Sequence, residues 1–277
     1  MANKRVILLA DRSDASIDAI ATELETRLCD VVDIVGNALE DNLDCDAAIA
    51  VGGDGTLIHY GPLLAKAGIP LVGVNSGRLG FIATFDADSL IAQRTEVFSD
   101  SAASLSVIML EVSVDGAAPM IAMNEAMVSA GQPFRMLELD LSISSICAPR
   151  LHGDGIIIST PVGSTAHNVS VGGPIVDPTS NVFVLTPVAA HSLAVRPIVL
   201  AGDATVKVTL NKANEGTSLV IDGQVRCNLK EGSSIVIEQA RDTLSIVLNP
   251  SNTYWNTLVD KLHWAAPPEL VEKIDSP

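Results

Sequence analysis

Apolar residues in the first hundred positions fall into short, nearly continuous runs. Val6-Ile7-Leu8-Leu9 is the first, 31–35 the second, 47–51 the third and 71–74 the fourth. Strands that are apolar on both sides belong in a parallel sheet covered on both faces. Between the runs, Ile17, Ile20, Leu24 and Leu28 recur at helical spacing and predict a helix over 16–28. A second helix is expected over 57–66, between the third and fourth strands. Alternation of strand and helix of this kind predicts an α/β domain of Rossmann-like character.

Near 98–104 (FSDSAAS) the period changes to two. Leu137, Leu139, Leu141 and Ile143 share one face, while Glu138, Asp140, Ser142 and Ser144 share the other. Val206, Val208 and Leu210 oppose Thr205, Lys207, Thr209 and Asn211, and Leu244, Ile246 and Leu248 repeat the scheme. Asp115-Gly116 and Asp222-Gly223 are hairpin-turn signals among them. Half-buried strands with such turns predict a β-sandwich. The expected division is an α/β domain over 1–104, an all-β sandwich over 105–249, and a tail over 250–277 that packs back on the first domain. The stretch 164–173 breaks the strand pattern and is a short helix or a loop.

Composition narrows the partners. The chain has 277 residues, 48% of them apolar and only 3% aromatic, so its core is large and aliphatic. Its net charge of −16 opposes a duplex-binding or anionic-membrane surface. An anionic small molecule would need local bases, backbone amides or a metal ion. Cys29, Cys45, Cys147 and Cys227 are far apart with no CxxC pair, which argues against zinc and fits a reducing, cytoplasmic compartment. The apolar run 6–10 is too short for a signal peptide, and the uncharged stretch 155–176 holds too many Gly, Pro and polar residues to span a bilayer.

The chemistry concentrates after the third strand. Gly52-Gly53-Asp54-Gly55-Thr56 follows a buried strand and precedes a helix. Ligands collect at such strand ends. Glycines let a ligand approach the backbone, and helix-start amides suit an anion. A carboxylate repels phosphate, so Asp54 needs another task. It can accept a proton from an attacking hydroxyl, act through magnesium, or simply cap the helix. There is no GxGxxG after the first strand and no P-loop.

GGDGT resembles the signature shared by NAD kinases, diacylglycerol and sphingosine kinases and, more loosely, phosphofructokinases. Other segments choose among these. Asn75-Ser76-Gly77-Arg78-Leu79-Gly80-Phe81 resembles the NAD kinase N-x-G-x-L-G-F loop, and Asn124-Glu125 its NE motif. GDGIIISTPVGSTAHNVSVGG at 153–173 is similar to the longest signature of that family, TPVAAHSLAVRPIV at 186–199 to the next, and Asp222-Gly223-Gln224 to its final DGQ. The matches run in order over most of the chain.

The resemblance implies an α/β domain followed by a β-sandwich, and phosphorylation of NAD at the 2′-hydroxyl of its adenosine ribose. The donor would be ATP or polyphosphate, with Mg²⁺ or another divalent cation. It makes Asp54 the base, with Gly55 and Thr56 near phosphates. It places Asn124 and Glu125 on adenine and ribose hydroxyls, and Asp154 toward the nicotinamide. It lines the pocket with Val162, Thr165, Ala166, His167, Asn168, Ser170, Ala189 and Gln224, and adds contacts from His59, Phe81, Arg135 and His152. A homodimer or homotetramer is the implied assembly. Three positions depart from the family pattern: His167 stands where Tyr is usual, Ala190 replaces a Pro before His191, and His152 replaces Arg or Lys. A lipid kinase of the diacylglycerol type and a non-catalytic NAD(P) sensor are the alternatives. The NE, TAHNVS and DGQ segments argue against the first, and retention of Asp54 against the second.

Overall fold

The computed structural model describes residues 3–39, 44–77, 80–133 and 135–265. Arg78 and Leu79 of the glycine-rich loop motif, and the end of the tail, lie outside these residues.

The first four apolar runs form strands β1 (Lys4–Ala10), β2 (Val32–Gly36), β3 (Ala47–Val51) and β4 (Leu71–Val74). They pair in parallel in the order β2-β1-β3-β4. Every residue of β3 and β4 is buried, because helices and loops cover both sides of the sheet. Helices α1 (Ala15–Arg27) and α3 (Ala87–Val97) pack on one face and α2 (Asp54–Ala67) on the other. Each has a physical start. The Asp14 carboxylate accepts from the N–H groups of Ser16 and Ile17, and Asp86 forms a reciprocal capping box with Ser89. Helix α2 stops at Gly68, whose φ of 69° is the left-handed conformation that glycine adopts without strain.

The sheet has two further members. Strand β5 (Ser104–Val107) pairs antiparallel with Leu244–Val247, and that late strand joins β4 in parallel. The alternation at Leu244 and Ile246 therefore belongs to the first sheet rather than to the sandwich. Period two reports a face, and both kinds of sheet have faces. The chain leaves for the second unit after β5 and returns to the first for its last strand.

The second unit is two antiparallel sheets. One contains Leu110–Val114, Met120–Ala122, Leu137–Ile143, Val206–Lys212 and Ser234–Gln239. The other contains Glu125–Ser129, Gly155–Ser159, Val182–Val188, Ile198–Ala201, Ser218–Ile221 and Gln224–Asn228. The inward rows seen in the sequence, such as Leu137, Leu139 and Leu141 with Val206, Val208 and Leu210, meet Ile156, Ile158, Phe183 and Leu185 between the sheets. After the final strand, the Asn249 amide donates to the Thr84 carbonyl at 2.7 Å, and helix Tyr254–Leu262 buries Leu258.

Candidate functional site

The GGDGT segment folds as the β3–α2 junction. Gly53 is the N-cap and Asp54 the first helical residue. The side chain of Asp54 does not cap its helix. Its Oδ2 accepts the Phe81 N–H at 2.9 Å, and its Oδ1 accepts those of Ile82 and Ala83 at 3.1 and 3.0 Å. Three successive amides of the loop after β4 thus converge on one half-buried carboxylate. A carboxylate offers about four acceptor positions, so Oδ2 keeps one for a further donor. Gly80 is required here, because a Cβ would sit 2.0 Å from Asp54 Oδ1. The helix-cap alternative for Asp54 is replaced by a loop anchor that faces a neighbouring segment.

The glycines of the junction differ in what they answer to. At Gly52 a Cβ would meet the Thr56 side chain at 2.4 Å, so packing excludes it. At Gly53 and Gly55 a Cβ would meet nothing within 4 Å. Both are exposed and neither has a left-handed φ, so nothing in the fold itself demands glycine there. Open space beside the amides that begin the helix suits the close approach of an anion.

Phe81, positioned by Asp54, reaches the second unit. It lines a mostly enclosed cavity of about 70 Å³ with Val162 and Thr165 from the sandwich and Tyr254 and Thr257 from the C-terminal helix. The Phe81 and Tyr254 rings lie 6.2 Å apart. Val162–Thr165 is a 3₁₀ turn that seats against Asn124: a Cβ on Gly163 would lie 2.1 Å from the Asn124 carbonyl oxygen. The same carbonyl accepts the Thr160 N–H at 2.9 Å.

Asn124 and Glu125 sit where the chain passes from Met120–Ala122 in one sheet to Glu125–Ser129 in the other. Both are buried, at 8% and 5% exposure. Asn124 Oδ1 and Glu125 Oε2 are buried without a hydrogen-bond partner. Unsatisfied groups of this kind cost about 1–3 kcal/mol each. Burial, and then the neighbouring Asp222 charge, push the Glu125 carboxyl up to about 7. Its folded pKa exceeds its ordinary value of 4.5, so this group favours the folded state most below that pH and loses the contribution as pH rises to about 7. Met123 Sδ would lie 2.6 Å from a Cβ on Gly61 of α2, so the crossing rests directly on the helix that Asp54 begins.

Asp54 and Phe81 are thus linked by a hydrogen bond, Phe81 shares a cavity with Val162 and Thr165, and that turn packs on Asn124, which precedes Glu125 in the chain. Gln224 is exposed two residues after Asp222. Asn168 is fully buried: its amide donates to the carbonyls of Ser164 and Pro174, and its Oδ1 accepts from Thr186 at 2.6 Å. Asn168 thus braces the 162–173 segment internally. Ala166 is half-buried at the end of the 3₁₀ turn, and His167 and Ser170 are exposed on the short helix that follows. His152, Asp154 and Ala189 make a second group. The Asp154 N–H donates to the Val188 carbonyl, and the His191 N–H to that of His152. Ala189 borders an open cavity of about 510 Å³ with Leu193 and Arg196. His59 stands exposed on α2 with its ring edge-on to Tyr60, and Arg135 is exposed beside Asn214, whose amide donates to its carbonyl.

Among the described residues no group of three or more His, Cys, Asp or Glu side chains could hold a metal ion. A protein-built magnesium cage does not fit this site. No helix among the described residues is long and apolar enough to cross a membrane. Asp222 was legible in the sequence as a hairpin turn and as the start of the DGQ segment, but neither signal assigned its side chain a task.

The chain matches two family models: the ATP-NAD kinase N-terminal domain over residues 13–102 and the ATP-NAD kinase C-terminal domain over 123–248. An NAD kinase of Trichlorobacter lovleyi is 34% identical over 281 aligned positions, covering 94% of this chain and 99% of that protein. An NAD kinase of Rhodopirellula baltica is 33% identical, covering 80% and 73%. Among solved structures, an Archaeoglobus fulgidus NAD kinase in complex with ATP superposes with TM-score 0.75 at 25% identity, covering 94% and 98%. Yeast NADH kinase complexed with NADH shares the fold with TM-score 0.85 at 22% identity, covering 98% and 91%. Both halves of the chain, and a relative matched along nearly its whole length, lead to one conclusion: the chain belongs to the NAD kinase family.

Proposed function

We propose that this protein transfers a phosphoryl group to the 2′-hydroxyl of the adenosine ribose of NAD, giving NADP. The observation that carries this is the pair of orphaned acceptors at Asn124 and Glu125, joined through the Val162–Thr165 turn and Phe81 to Asp54. An amide with a free carbonyl accepts from an adenine amino group, and a carboxylate accepts from ribose hydroxyls. Asp54 then takes the proton of the attacking hydroxyl on the position left on Oδ2. The open space at Gly53 and Gly55 admits the donor phosphates. Phosphoryl transfer rests mainly on positioning and electrostatics. A divalent cation, where one is bound, would be held mainly by the donor phosphates and would neutralise their charge. ATP is the donor of first choice and polyphosphate the alternative. Incubation with NAD, ATP and magnesium should yield NADP. A protein that binds NAD and makes no NADP would instead be a sensor.

The remaining contacts of the reading are peripheral to this core. Gly55 and Thr56 face phosphate, Thr165, Ala166, His167 and Ser170 border the base, and His152, Asp154, Ala189 and Gln224 hold the nicotinamide half. His59 and Arg135 contribute outer contacts. We read the assembly as a homo-oligomer. Leu193, Ile198 and Val199 are 90%, 50% and 53% exposed, and the last two lie on an edge strand, a surface that soluble proteins normally cover. A monomer in sedimentation would refute it. Four free cysteines fit the cytoplasm.

The substrate assignment has a direct check. Asn124→Ala and Glu125→Ala should each weaken NAD binding by about 1–3 kcal/mol, the cost of leaving a buried partner unpaired. Calorimetry that gives wild-type affinity for both variants would remove the dinucleotide from this corner.

A further inference from the structure

Asp222 is a half-buried carboxylate with no role in the reaction described above. It occupies the first position of a two-residue hairpin between Ser218–Ile221 and Gln224–Asn228. Its φ is 49° and that of Gly223 is 75°, the paired positive angles of a type I′ turn. Asp is tolerated at such a position, but Asn and Gly serve a hairpin equally well, so the turn alone does not explain an acid.

The partners of the carboxylate explain it. Asp222 Oδ2 accepts the Met123 N–H at 2.8 Å, and Oδ1 accepts the N–H groups of Asn124 and Glu125 at 2.7 and 3.1 Å. In return, the Asp222 N–H donates to the Glu125 carbonyl at 3.1 Å. Met123 and Asn124 lie between two strands that belong to different sheets, so the amides at this crossing need an acceptor from elsewhere. One side chain supplies it for three residues in a row.

We propose that Asp222 is a positioning residue for Asn124 and Glu125, holding their backbone in the shape that receives the ligand and acting on the Glu125 carboxylate through its charge. This rests on the reading that the pair holds the dinucleotide.

Charge follows from the geometry. Three N–H donors face Asp222, whereas Glu125 Oε2 faces none. The negative charge of the pair therefore settles on Asp222, and the proton on Glu125. Burial and Asp222 raise Glu125, in that order; burial raises the Asp222 carboxyl as well, and its three backbone N–H bonds, then Arg226 on the following strand, oppose that rise. Among the described residues no other charge acts on Glu125. Ribose hydroxyls donate to a carboxylate, so the ligand prefers deprotonated Glu125. Affinity should rise as pH passes upward through about 7.

The test follows the Glu125 carboxyl by carbon-13 NMR in the ligand-free protein, and NAD affinity by calorimetry, from pH 5 to 9. Wild type should show a Glu125 midpoint near 7, with tighter NAD binding above it. Asp222→Asn removes the charge and keeps the size. It should lower the midpoint by roughly one pH unit, the scale of one nearby like charge. It should also weaken NAD binding by about ten-fold at pH 8, because an amide cannot accept all three N–H bonds. A Glu125 midpoint near 4.5 in wild type would overturn the proposal with no variant at all. So would Asp222→Asn with an unmoved midpoint and unmoved affinity. If Glu125→Gln binds NAD as wild type does while the midpoint still moves in Asp222→Asn, the electrostatic coupling stands and the substrate reading falls.

Discussion

Asp54→Asn should reduce kcat at saturating NAD by about 10²–10⁴-fold, the usual worth of a general base. It should also lower the melting temperature, which the sequence alone does not lead one to expect. A helix cap would tolerate Asn, since Asn caps as well as Asp. The carboxylate instead receives three N–H groups from Phe81, Ile82 and Ala83. An Asn amide turns its NH₂ toward at least one of them, and a donor facing a donor leaves both unpaired. The cost is about 1–3 kcal/mol.

Loss of activity therefore has two possible sources, and the kinetic constants separate them. If Asp54 only anchors the loop, Asn displaces Phe81 and the pocket wall. That weakens substrate binding, raising KM while kcat at saturation survives. If Asp54 takes the proton, kcat falls even when NAD is saturating and calorimetry still reports binding. Titrating magnesium separates a base from a metal ligand: a metal role predicts partial rescue at high concentration, and a base role predicts none. Near wild-type kcat at saturating NAD would reduce Asp54 to an anchor.

Much of this was legible in advance, for physical reasons. The buried strands β1, β3 and β4 announce themselves because a parallel sheet covered on both faces leaves no position for polar residues. The sandwich rows are legible because one face is dry and the other wet. Helix α3 was missed. Its buried residues are only Leu90, Ile91 and Val97, and its capping box uses Ser89 where Glu or Gln would signal it. Strand Leu244–Val247 was read as a strand but placed in the wrong sheet, since alternation carries no information about the partner. In the candidate site, motifs singled out residues, but they did not reveal which groups each side chain faces. The tasks of Asp54 and Asp222 lie on backbone amides 27 or more positions away in sequence. A local pattern cannot show that two carboxylates each bind three successive N–H groups of a distant loop.

The glycines offer a second large effect, in which stability and activity should move in opposite directions. Gly55 is helical, exposed, and has nothing within 4 Å of where a Cβ would stand. Alanine is the better helix former by about 1 kcal/mol, so Gly55→Ala should leave the melting temperature unchanged or raise it. If the space beside Gly55 is for phosphate, the added methyl displaces the donor. Misplacement of about 1 Å can cost on the order of 10²-fold in rate, so kcat/KM for ATP should fall steeply while NAD affinity holds. Gly163→Ala is the contrasting case. There a Cβ would meet the Asn124 backbone at 2.1–2.6 Å, and main chain cannot step aside as a side-chain tip can. Overpacking of this kind costs about 1–3 kcal/mol or more, and it pushes directly on the residue proposed to hold adenine. Gly163→Ala should therefore lose stability and NAD affinity together. Thermal melts with kinetics on both variants decide the matter. Should Gly55→Ala keep full activity, the open space at the β3–α2 junction is not where the donor sits, and glycine there has no function that the structure explains.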